Sequence, residues 1–149
     1  ALIDTAVQAV HLVFAGVWTG SVVFVAYAVL PTVASGDAGV GVIESLLAKL
    51  KLVSRASALV LLATGGHMAG TLYTPESLTG SPTGHAVLGM VALWFLLAAL
   101  VEIGASRMGD ALDDGKVRTA AERGGTFMQG AAVVAVLLLV DAGYLAMPL

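Results

Sequence analysis

The chain has 149 residues, of which 58% are hydrophobic and only 11% charged, with a formal net charge of −3. A soluble domain carries about a quarter charged residues, so this composition belongs to a membrane protein and excludes an ordinary soluble fold. No cysteine is present, which removes disulfides, thiolate metal sites and haem attached through cysteine; no nucleic-acid partner is expected.

Four segments are long and apolar enough to cross ~30 Å of hydrocarbon, which takes about 20 helical residues. They run from Ala6 to Leu30, Ala56 to Tyr73, His85 to Ile103 and Gly125 to Met147. Inside lipid each backbone amide must be satisfied within its own segment, so the spans are helices and the chain is all-α. The first span lacks a basic n-region and a small-residue cleavage site, so it reads as a span rather than a signal peptide. It ends at Pro31, and Ser35-Gly36-Asp37-Ala38-Gly39 reads as a turn.

Ile43, Leu46, Leu47, Leu50 and Val53 recur at helical spacing, which predicts an amphipathic lead-in lying at the membrane surface and running into span two. The stretch from Thr74 to Gly84 is turn chemistry throughout. Met108 to Glu122 is polar and mixed in charge, and predicts a short solvated helix with Asp113-Asp114-Gly115 as a turn. Short connections make neighbouring spans antiparallel, so a single domain is expected, an integral membrane four-helix antiparallel bundle. Gly16-x-x-x-Gly20 and Gly66-x-x-x-Gly70 fit close helix packing or room beside a flat cofactor.

All seven basic residues fall in two places. Lys49, Lys51 and Arg55 precede the second span, and Arg107, Lys116, Arg118 and Arg123 lie between the third and fourth. The positive-inside rule puts both loops in the cytoplasm and both termini on the outer side of a multi-pass protein of the cell membrane.

Ionisable groups inside a membrane are expensive and are candidates for function. His11 and His67 each lie about six residues, roughly 9 Å, inside the outer ends of their spans. His85 opens span three at the same surface. Two histidines on different helices at one depth can face each other across a haem iron or share a metal, so His11, His67 and His85 are the candidate ligands. The competing reading is that each ring only hydrogen-bonds to a neighbouring helix. Asp141 is at a similar level and would suit a partner for one histidine's free ring N–H. Gly66, beside His67, and Trp18, two turns from His11, are candidate cofactor-wall positions. Met68 and Met90 read as soft copper ligands or as packing. Arg55 and Glu102 read as a structural ion pair.

The string Arg55-Ala-Ser-Ala-Leu-Val-Leu-Leu-Ala-Thr64-Gly65, with Thr83-Gly84-His85-Ala-Val-Leu before a long apolar run, resembles the CopD family of membrane proteins. So does the fourth span, which opens after Glu122-Arg123 and closes near Pro148. The first span, His11-Leu-Val-Phe-Ala-Gly-Val-Trp18-Thr-Gly20 and on to Pro31, is similar to that family's His-x-x-x-x-x-x-Trp-x-Gly helix. It is also similar to the opening helix of the related four-helix HemJ protoporphyrinogen oxidases, which use a b-type haem. The resemblance implies that His11 is the first-helix histidine of both groups and His85 the third-helix histidine of HemJ-like proteins. Val87 stands where HemJ carries a lysine, and Gln129 where CopD proteins carry an acid. What the resemblance implies is a haem b membrane cytochrome, passing electrons between a carrier at the outer face and a membrane partner. The alternatives are a copper-binding transporter using the same histidines, or a structural subunit in a homo-oligomer or larger membrane complex.

Overall fold

A computed structural model describes residues 1–147, and within them every regular element is helical. The fourth span's closing Pro148 lies outside the described residues. Helix α1 (Leu2–Phe24) passes through a π-helical turn (Val25–Val29) into α2 (Leu30–Ala34). The π turn has a local cause. Pro31 has no N–H, and its ring crowds the carbonyl four residues back, at Tyr27. The ladder widens there, and the Leu30 N–H donates to Val25 O.

The expected turn after Pro31 is a Schellman stop. Gly36, at φ 77°, sends its N–H to Val33 O at 3.1 Å, and Asp37 sends its own to Thr32 O at 3.2 Å. Helix α3 (Val40–Leu72) then runs unbroken for 33 residues. Of the predicted apolar face Ile43, Leu47 and Leu50 are buried, Val53 is partly buried and Leu46 is exposed. The lead-in runs without a break into the apolar half of α3, as expected.

The stretch after α3 is more ordered than turns alone. It holds α4 (Pro75–Gly80), started by a capping box: Thr74 Oγ1 accepts from the Ser77 N–H, and Ser77 Oγ from the Thr74 N–H. Ser81 caps α5 (Pro82–Asp113), accepting the Gly84 N–H at 3.0 Å. A second Schellman stop at Gly115 (φ 71°) turns the chain into α6 (Val117–Ala146). The short solvated helix expected over Met108–Glu122 is not formed. Met108, Ala111, Leu112 and Ala120 are buried, so α5 and α6 extend through that segment and pack there.

Helix α1 packs on α3 and α6, and α5 packs on α3 and α6. Side-chain contacts give the directions. Trp18 meets Ser54 and His11 meets Thr64, so α1 and α3 are antiparallel. Arg55 meets Glu102 and Ala58 meets Trp94, so α3 and α5 are too. Leu100 approaches Gly130 while Gly89 faces Asp141, which makes α5 and α6 antiparallel. Three helical stretches are long and apolar enough to cross a membrane: Leu2–Ala34, Pro82–Asp113 and Val117–Ala146. The predicted second span, within α3, is diluted by Thr64, Gly65, Gly66, His67, Gly70 and Thr71 and falls short of them.

Burial is strongly lopsided. In α1 it begins at Trp18, in α3 it ends at Ala58, in α6 it ends at Leu138, and in α5, Gly84 apart, it begins at Leu97. A close helix contact lies in that half, where a Cβ on Gly124 would stand 2.6 Å from Gly104 O and clash with Met108; another joins α4 to α5 in the other half, where a Cβ on Gly84 would clash with the Ser77 carbonyl. The two Gly-x-x-x-Gly motifs take no part. Gly16, Gly20, Gly66 and Gly70 all point into open space, so neither motif brings helices together within the chain.

Candidate functional site

The half of the molecule without buried side chains holds all three histidines and Asp141, and it is the end away from the basic residues. His11, in α1, is half-buried against α3. Its Nδ1 is 2.7 Å from Thr64 Oγ1. Thr64 in turn bonds back to its own helix, with Oγ1 2.7 Å from Val60 O. A hydroxyl has one proton to give. When Thr64 gives that proton to the Val60 carbonyl, Oγ1 offers only lone pairs to the ring and His11 Nδ1 carries the hydrogen. In the neutral ring Nε2 is then a bare lone pair, and it has no hydrogen-bond partner among the described residues. This is the tautomer in which a histidine ligates a metal through Nε2 while its other nitrogen is anchored.

Gly65 completes the seat. A Cβ there would stand 3.3 Å from His11 Cε1, tighter than an ordinary contact, so a larger residue would push the ring aside. Trp18, seven residues along α1, is wholly buried and donates its indole N–H to Ser54 Oγ at 2.9 Å. It closes the space below His11 as packing. Trp94 does the same from α5, donating to Ala58 O one turn further along α3.

The other two rings are engaged elsewhere. His67 Nε2 lies 3.3 Å from Asp4 Oδ1, on an exposed face. It is three residues beyond Thr64, about 4.5 Å further out, so the His11 and His67 rings differ in height and each has its own partner. His85 Nε2 donates to Thr79 O at 2.6 Å, tying α4 back to α5. Gly66, next to His67, meets no neighbour; the glycine under a histidine is Gly65.

Asp141 makes no hydrogen bond to a histidine. Its Oδ2 is shut off from solvent without a hydrogen-bond partner, facing α5 where Gly89 leaves room, 3.8 Å from where a Cβ would sit. The carboxylate that does pair with a histidine is Asp4, which the sequence reading passed over. The antiparallel register of α1 on α3 would have found it, because a residue two turns before His11 must come near the outer end of α3.

Among the described residues no three His, Asp or Glu side chains gather as a metal-ligand group. Two grooves at the basic end contain no histidine: one of about 550 Å³ along α5 and α6, and one of about 450 Å³ between α2 and α6. The predicted Arg55–Glu102 ion pair is made, bidentate at 2.7 and 3.0 Å. Comparisons with protein-family models, curated proteins and solved structures find no significant match to this chain.

Proposed function

We propose that the chain is a four-span membrane bundle with both ends on the outer side, holding one b-type haem through His11 and passing electrons between a carrier at the outer face and a membrane partner. The observation that carries the haem is His11 itself: a half-buried ring in an apolar helix, with Nδ1–H anchored on Thr64 and Nε2 left bare. His11 Nε2 is not enclosed by the protein, and within an apolar span the surface it reaches offers no water to bond it, so the atom is open to a ligand. The CopD and HemJ likeness of the first span favours the same residue. The membrane arrangement rests on α3 supplying the fourth crossing, between α1 and α5, and on the basic residues lying together at the end opposite the histidines.

The residues fit a haem in part. His11 would hold the iron through Nε2, with its ring seated on Gly65. His67 and His85 are held by Asp4 and the Thr79 carbonyl, so a second axial histidine requires one of those bonds to open. A haem bound there would supply a one-electron couple. The chain's own residues do the rest. Thr64 fixes the tautomer and orientation of His11, Gly65 admits the ring edge, and Trp18 seals the seat from the tight half below.

The test is the visible spectrum of detergent-purified protein together with metal analysis. A Soret band, with sharp α and β bands on reduction and iron in the preparation, is the expected result. Copper without haem absorbance, or neither, would overturn it.

A further inference from the structure

We propose that the groove between α5 and α6 at the basic end binds the phosphodiester of an anionic phospholipid. This rests on the membrane placement above for its depth, and not on the haem. The groove, about 550 Å³, is lined by Glu102, Ile103, Ser106, Arg107, Asp110 and Arg123. The contacts of Leu100 with Gly130, and of Gly89 with Asp141, set the register of the two helices. Carried on toward the basic end, that register puts Arg107 level with Arg123. Two guanidiniums therefore face one groove at one height.

Like charges so placed repel unless something neutralises them, and the chain does not. Among the described residues neither arginine has a carboxylate within ion-pair distance. Glu102, which lines the same groove, is committed to Arg55 through both of its oxygens. Asp110 is the one remaining acid there. Arg107 is also held in place, its guanidinium 4.9 Å from the centre of the Phe127 ring.

An anion bridging the two arginines removes their repulsion and gains charge-assisted hydrogen bonds from two planar donors. The depth selects its source. Ile103 ends the apolar run of α5, and Arg107 follows one turn later, at the height of lipid phosphates. Ile103 itself is exposed, an apolar flank along which an acyl chain can lie. Phosphatidylglycerol suits the groove better than phosphatidylcholine. Its glycerol hydroxyls can donate to Asp110, whereas a choline cation would meet two arginines.

The test is native mass spectrometry of the protein in detergent micelles, titrated with phosphatidylglycerol or phosphatidylcholine. The native chain should prefer phosphatidylglycerol by roughly thirtyfold. Arg107→Gln with Arg123→Gln should bring the two lipids within about threefold of each other. Lys49→Gln, on α3 outside the groove, should leave the preference intact, and excess inorganic phosphate should not displace the lipid. Thermal unfolding without lipid checks that the double variant folds; if it does not, Arg123→Gln alone is read, with a partial loss expected. Equal affinity for both lipids in the native chain would overturn the proposal. So would a preference that survives loss of both arginines, or displacement by inorganic phosphate.

Discussion

At the scale of the residue, the informative atom is the hydroxyl of Thr64. A histidine in an apolar helix has two nitrogens to satisfy, and the protein answers for one of them. Thr64 Oγ1 reaches both His11 Nδ1 and Val60 O, and when its proton goes to the carbonyl it acts on His11 as an acceptor and leaves Nε2 bare. Removing the hydroxyl while keeping the shape should therefore free the ring without unfolding the chain. Thr64→Val is expected to weaken haem retention by about 10- to 100-fold, the usual effect of losing a ligand's outer partner. Haem content after dialysis against apomyoglobin measures it, and retention equal to the native chain would deny Thr64 that role. His11 was legible from the sequence as an ionisable group in a span. Its partner was not, because a threonine in an apolar helix bonds to its own backbone by default, and only packing shows that it does a second thing.

At the scale of the element, the stops and the close approaches are set by glycine for two different reasons. Gly115 sits at φ 71° with open space around it, so a Cβ there would suffer only from the left-handed backbone. Gly115→Ala should cost about 1 kcal/mol of unfolding free energy. Gly124 is ordinary helix, yet a Cβ would overlap Met108 and come within 2.6 Å of Gly104 O. Overpacking of that kind costs about 1–3 kcal/mol, so Gly124→Ala should be the worse of the pair. Gly16→Ala and Gly66→Ala, in open space, should be close to neutral. Thermal melts in detergent give the order, and a Gly16→Ala loss as large as that of Gly124→Ala would contradict the packing. The turns at Gly36 and Gly115 were readable because their signal is local. The packing glycines were not: Gly16-x-x-x-Gly20 has the better-known spacing, but spacing does not say which way a helix face points. Similarly, the capping box of Thr74 and Ser77 was present in the sequence, and the run of turn-forming residues around it obscured the helix it starts.

At the scale of the whole molecule, two asymmetries coincide. Tight packing and all basic residues occupy one end; loose packing and the histidines occupy the other. Helices of about 30 residues are ~45 Å long and exceed the hydrocarbon core. At the basic end α5 and α6 continue past their apolar runs and pack on each other, which explains why Met108, Ala111 and Leu112 are buried in a segment that composition alone made solvated. Polarity marks where the apolar runs end, while the burial of helix beyond them depends on neighbours that also continue. The all-helical class and the membrane character followed from hydropathy, and the partners the histidines take, Thr64 for His11 and Asp4 for His67, did not, since counting from helix ends ignores how far one helix slides along another. A reporter fused after Ala146 should read outside and one inserted after Gly115 should read cytoplasm; the reverse would place the histidines on the inner side.

The haem itself is tested most directly by the absorption spectra of four proteins purified side by side: the native chain, His11→Ala, His67→Ala and His85→Ala. Each should insert, because every change makes its helix more apolar. The native chain should show a Soret band and His11→Ala should lose it, with at most one of the other two changes as severe. A His11→Ala protein with the native spectrum and native iron content would contradict the assignment of His11 as the ligand.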